Sequence, residues 1–158
     1  MKLWRCHTFR PVSKAVFQLW SKLLHSLPLW LAAAWWGSLT TLGFFVVPML
    51  FIHLPEPAMA GRMAARLFSV QTQVSAACGL GLLLFTRSNK PSALIERAQS
   101  AIVFIVAGML LALLVEYGVA PRIVARESLA LWHRVGSAMY LLQWVGAGLV
   151  FWKLIRRQ

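Results

Sequence analysis

Four long intervals of this chain contain no Asp, Glu, Lys or Arg, and together they cover more than half of its residues. They are Leu23–Pro55, Leu67–Thr86, Ala98–Val115 and Val135–Trp152. A helix needs about 20 apolar residues to cross the hydrocarbon core of a bilayer. The strands of a membrane barrel would alternate polar and apolar residues, and these intervals do not. The pattern therefore predicts four transmembrane helices.

Proline, glycine and charged residues place the predicted spans at about 29–52, 69–85, 94–117 and 132–154. Their short connections favour an up-down-up-down bundle, so the predicted fold class is an all-α membrane protein in which residues 28–158 form one transmembrane domain. Residues 1–27 form a basic extension. Within it, Val12–Leu27 has apolar residues at spacings of three and four, which predicts an amphipathic helix lying in the membrane interface. No internal repeat is evident.

Basic residues dominate the charge of the chain, with 16 Lys and Arg against four Glu, for a net charge of +12. They lie mainly at the ends of the apolar intervals, which indicates membrane topology rather than nucleic-acid binding. Eleven lie in the N-terminal segment, the loop between the second and third spans, and the C-terminus, and five lie on the opposite side. Because cytoplasmic loops are rich in Lys and Arg, both termini are predicted to be cytoplasmic.

No catalytic sequence motif is present, and the chain has no Asp, which argues against a mechanism with two carboxylates. Cys6 and Cys78 are predicted to lie at different membrane depths, too far apart for a disulfide. The sequence therefore predicts no enzyme activity, no catalytic residue, no bound metal and no cofactor.

Polar residues are predicted to gather at the outer ends of the four spans. This candidate outer cluster consists of His53, Gln71, Glu116, Arg122, Arg126 and His133. It has two interpretations: a binding site for a metal, an anion, a lipid headgroup or haem, or ordinary polarity at the membrane interface. In either interpretation, Arg122 or Arg126 should lie within ion-pair distance of the Glu116 carboxylate. His133 should lie within reach of the same carboxylate.

A second set of polar residues falls at the predicted midplane of the membrane. Gln143 lies in the fourth span, and Thr40 and Thr41 lie in the first. Polar groups at one depth in hydrocarbon should bond to each other. We therefore predict a hydrogen bond from Gln143 to Thr40, to Thr41 or to a backbone carbonyl of the first span.

Short motifs along residues 30–150 resemble those of a bacterial family, domain-of-unknown-function family 4149, whose eukaryotic relatives are the transmembrane protein 205 group. The motifs are Trp36-Gly37, Pro48-Met-Leu-Phe51, Ala60-Gly61-Arg62, Arg66-Leu67-Phe68, Tyr117, Pro121-Arg122, Arg126, His133 and Ser137. Tyr140 departs from the pattern, which would place a small polar residue there. The resemblance implies a four-helix protein of the bacterial inner membrane, and it implies a fold rather than a reaction.

Three functions fit these observations. The first is a non-enzymatic scaffold or accessory subunit whose partners are the lipid bilayer and another membrane protein or a second copy of the chain. The second is a small oligomeric transporter or channel, although such proteins place ionisable groups near the midplane, and none is expected here. The third is a haem- or metal-binding redox protein that uses the outer cluster.

Overall fold

The computed structural model describes residues 12–87, 95–125 and 128–156, and these residues are entirely helical apart from short connections. Six α-helices follow one another within these described ranges. They are α1 (Val12–Thr41), α2 (Val47–His53), α3 (Pro57–Arg87), α4 (Ile95–Leu114), α5 (Ala120–Val124) and α6 (Leu129–Ile155). Two π-helical segments, Leu42–Val46 and Val115–Val119, join α1 to α2 and α4 to α5.

Four helical stretches are long and apolar enough to cross a membrane, which confirms the predicted fold class. These spans are Ser26–His53, Pro57–Thr86, Ala101–Val124 and Leu129–Ile155. Along the chain α1 packs against α3, α3 against α4, and α4 against α6, and α1 also packs against α6, which closes the bundle. We call the end where α2 meets α3 and α5 meets α6 the outer end.

The helices are longer than the sequence indicated. The second span was predicted to begin at about residue 69, but its helix begins at Pro57 and continues without a break to Arg87. The predicted interfacial helix likewise continues through Pro28 into α1. Most of its predicted apolar face, and residues 1–11, lie outside the described side chains.

Proline accounts for the position of both π-helical segments. In an α-helix the proline ring collides with the carbonyl group four residues earlier. Pro48 and Pro121 each follow a π segment by two residues, and there the N–H groups of Val47 and Ala120 reach back five residues to carbonyl oxygens. The wider π turn makes room for the ring, so both helices continue past a residue that would otherwise stop or kink them.

The core of the bundle combines one large side chain with several small ones. Trp35 of α1 is completely buried, and its ring edge packs on Gly108 of α4. The other buried members of this cluster are Ala32, Leu39, Cys78, Leu82, Ile105, Ala147 and Val150. Small residues let the helices approach closely where no hydrophobic force acts between them in lipid.

Candidate functional site

Among the side chains that the structure describes, three polar ones are buried near the middle of the bundle: Gln71 and Ser75 of α3, and Gln143 of α6. Nε2 of Gln143 donates to Oγ of Ser75 at 3.0 Å. Nε2 of Gln71 donates to Oγ of Ser38 on α1 at 3.0 Å and lies 3.5 Å from Oγ of Ser75. We call these four residues the amide network. It joins three of the four spans at one level.

The hydroxyl of Ser38 connects the amide network to the backbone of α1, because it donates to the carbonyl oxygen of Trp35 at 2.9 Å. Ser75 is completely buried and accepts from both amides. A buried amide without partners is costly in hydrocarbon. The two serines therefore allow two glutamines to be buried among apolar residues.

A small cavity of about 10 Å³ lies against the amide network. Its lining residues are Phe68, Gln71, Thr72, Ser75, Ala112, Val115, Tyr140 and Gln143. A cavity of this size has room for about one water molecule and none for an organic substrate.

Gln143 is buried as its predicted midplane position suggested, but the predicted partner was wrong. Its amide bonds to Ser75 of the second span rather than to Thr40 or Thr41 of the first. Thr40 instead accepts from Nε1 of Trp144 at 2.9 Å, and Thr41 is exposed on the outside of α1. The reason is rotational: Gln143 is buried and reaches Ser75 of α3 across the interior of the bundle, whereas the next residue, Trp144, contacts α1.

Tyr140 provides the bond from the fourth span to a backbone carbonyl of the first. Its hydroxyl donates to the carbonyl oxygen of Leu39 at 2.7 Å, and its ring meets Phe68 edge-on with the centroids 5.3 Å apart. The ring also fills the space beside Gly43, where an added Cβ would lie 2.5 Å from Cε1 of Tyr140. The large ring of Tyr140 is thus matched by a glycine on the first span.

Gln71 was predicted at the outer end, and the structure places it near the middle. The cause is the early start of α3 at Pro57, fourteen residues before Gln71, which is about 21 Å along a helix. Gln71 therefore belongs to the amide network and not to the outer cluster.

Glu116 lies in the second π segment and is half-buried against α3. Its Oε1 accepts from the hydroxyl of Ser69 at 2.7 Å. The span Ala101–Val124 includes Glu116, which lies eight residues, or about 12 Å, before the end of the span. Glu116 therefore lies inside a candidate membrane span, whereas the sequence predicted it at the end of the third span.

The predicted ion pair at Glu116 is wrong for Arg122. Within the described residues, Arg122 forms no salt bridge; it donates to the carbonyl oxygen of Gly118 and lies over the ring of Trp132 at 4.7 Å. Arg122 therefore packs beside α6, whereas Glu116 points at α3. Arg126 lies outside the described residues.

Neither histidine of the predicted outer cluster joins Glu116. Nδ1 of His53 bonds to the carbonyl oxygen of Met49 on its own helix at 3.0 Å, and His133 is exposed. Within the described ranges, no group of three His, Cys, Asp or Glu side chains could hold a metal ion. The described members of the outer cluster therefore do not share one site, and the buried polar side chains that the structure describes bond to one another in the amide network.

Sequence reasoning did not assign Ser38, Ser69, Ser75 or Tyr140 to a site. Ser75 was visible only as a small residue suited to close packing, and small hydroxyl residues are common in membrane helices. The available signal was the spacing of Gln71 and Ser75, which are four residues apart and therefore share one face of a helix.

The comparisons with known proteins give one match. The model of a family described as a domain of unknown function, DUF4149, matches residues 30–131, which is more than half of the chain. No curated protein and no solved structure matches. The matched region includes most of the first span, the second and third spans, both π-helical segments and the connection to α6, and so this chain with four candidate membrane spans belongs to the DUF4149 family.

Proposed function

We propose that the protein is a non-enzymatic membrane scaffold or accessory subunit. In this proposal it resides in the bacterial inner membrane with both termini in the cytoplasm, as the distribution of Lys and Arg favours, and it binds another membrane protein. We also propose a relationship to the eukaryotic transmembrane protein 205 group, supported by the motifs that run from Trp36-Gly37 to Ser137.

The closed interior of the bundle is the observation that supports this role. Side chains fill the space between the helices, as at Trp35 against Gly108 and at Tyr140 against Gly43. The buried amides bond within the protein, and the cavity beside them has room for one water molecule. This cavity is too small for an organic substrate, which favours a role carried by the outer surface of the bundle.

Glu116 favours a second candidate, a small oligomeric transporter or channel. Ionisable residues inside membrane spans often mark ion or substrate pathways, and Glu116 lies within the third span beside Ser69. A pathway in this candidate would run between copies of the chain.

Two measurements on the full-length protein separate the candidates. Native mass spectrometry of gently solubilised membranes reports bound partners, ligands and copy number together. An ion-flux assay in proteoliposomes, with Glu116→Gln as the comparison, tests transport. The scaffold proposal expects a stoichiometric complex with another membrane protein and flux equal to that of empty vesicles. Flux that Glu116→Gln abolishes would favour the transporter.

A further inference from the structure

Gln73 is a polar side chain on the outside of the bundle at mid-span. It lies on α3, is exposed, and makes no hydrogen bond within the described part of the chain. The charged residues nearest to it along α3 are Arg66 and Arg87, about 10 Å and 21 Å away along the helix axis. Its amide therefore faces hydrocarbon, where neither its N–H groups nor its oxygen can bond to water.

The surface around Gln73 has the spacing of a helix-pairing seam. Val70, Gln73, Ala77, Leu80 and Leu84 are all exposed, and they follow one another at intervals of three and four residues. This is the a/d pattern by which two helices pack side by side with a left-handed crossing. Val70, Leu80 and Leu84 are more than half exposed. We call these five residues the α3 seam.

We propose that the α3 seam is the surface on which a second copy of this chain docks, with the two Gln73 amides hydrogen-bonded across a two-fold axis. An amide has both a donor and an acceptor, so two identical amides related by a two-fold axis complement each other electrostatically. Two copies inserted in the same orientation place Gln73 at the same depth without adjustment. A second copy of the chain thus supplies a hydrogen-bond partner for the Gln73 amide, and no other protein is needed.

The other residues of the α3 seam suit the same pairing. Ala77 follows Gln73 by one helical turn, and a small residue there lets two helix backbones approach closely. A single polar position within an apolar seam fixes the register of paired helices. Arg66 lies beyond Val70 toward the outer end, where a long side chain can extend to the headgroups, so the like charges of two copies stay apart.

The inference concerns self-association, so it stands whether the bundle is a scaffold or a transporter. The test uses donor- and acceptor-labelled full-length protein in vesicles of phosphatidylcholine and phosphatidylglycerol, with energy transfer measured as lipid dilutes the protein. The variants are Gln73→Leu, Gln73→Asn and Thr41→Val. Thr41 is an exposed polar residue near the middle of the first span, so Thr41→Val is the matched control.

Wild type and Thr41→Val should dimerise equally. Gln73→Leu should bind itself about threefold to thirtyfold more weakly, as expected from about 0.6 to 2 kcal/mol for hydrogen bonds between membrane helices. Gln73→Asn should recover part of the loss. Energy transfer that is absent at every dilution, or that falls equally in Gln73→Leu and Thr41→Val, would overturn the proposal.

Cysteine crosslinking locates the interface without relying on affinity. In a background of Cys6→Ser and Cys78→Ser, Ala77→Cys should form a disulfide between copies under mild oxidation. Leu110→Cys, on the exposed face of α4, should not. Equal crosslinking at both positions would show that the copies meet by random collision and would also overturn the proposal.

Discussion

Gly108→Ala is expected to destabilise the bundle because of one contact in its core. A Cβ atom at Gly108 would lie 2.8 Å from Cη2 and 2.9 Å from Cζ2 of Trp35. Cβ atoms essentially never come so close to other heavy atoms. Trp35 is completely buried, so its ring can move only if its neighbours move as well.

Gly37→Ala is the matched control for this change. Gly37 also lies inside a helix, but an added Cβ there has no neighbour within 4 Å. Replacing a helical glycine by alanine favours the helix by about 0.8–1.0 kcal/mol, and this gain is common to both variants. The difference between the two therefore isolates the collision with Trp35, for which overpacking costs of about 1–3 kcal/mol are typical.

The assay is thermal or denaturant unfolding of both variants in the same bicelles. Gly108→Ala should unfold with a Tm roughly 2–12 °C below that of Gly37→Ala, taking about 2–4 °C per kcal/mol for a chain of this size. Trp35→Phe shortens the ring, so it should reduce this difference when added to both variants. Equal stabilities of Gly108→Ala and Gly37→Ala would refute the packing described for α1 and α4.

Three further predictions concern the polar groups and the topology. Ser75→Ala should lower the free energy of unfolding by about 1–3 kcal/mol because it removes a shared acceptor from two buried amides. Gln143→Leu should lower it by only about 0.6 kcal/mol. Equal losses of the two variants in chemical unfolding would contradict the arrangement of the amide network. Glu116→Gln keeps an oxygen that can accept from Ser69, so its Tm should stay near that of the wild type. Ser69→Ala should lower the Tm slightly. A Tm of Glu116→Gln below that of Ser69→Ala would show that the carboxylate has another essential partner. Reporter fusions should be active in the cytoplasm at Gln158 and in the periplasm within residues 119–131, and a periplasmic signal at Gln158 would invert the topology.

The four spans were predictable because the signal for them is composition and length, and both are properties of the sequence. The start of α3 was not. Arg62 and Arg66 suggested a connection outside the membrane, but both are exposed on the first turns of a continuous helix. Their long side chains can lie along the helix and reach polar surroundings, so charge alone did not mark the helix boundary.

The candidate site was harder to predict because hydrogen-bond partners depend on helix rotation. Depth along the membrane suggested Gln143 as a bonding residue, and it is one. Its partner depends on which side of α6 faces the interior of the bundle, where Ser75 is buried, and a rotation of one residue, about 100°, exchanges Gln143 for Trp144. Glu116 was expected to pair with Arg122 or Arg126 because all three were placed at the outer end. The π segment and Pro121 direct the side chains of Glu116 and Arg122 to different helices, and Arg126 lies outside the described residues.

The two π-helical segments make two of the four spans easier to bend than the other two. Each lies toward the outer end of a span and adjoins a proline, so the first and third spans lose regular hydrogen bonds there, whereas α3 and α6 continue as regular helices beside them. Bending stiffness in a helix depends on its uninterrupted bonds. A change in bilayer thickness at the outer end would thus bend the first and third spans. The second and fourth spans would stay straight and keep Gln71, Ser75 and Gln143 of the amide network at the same relative depth.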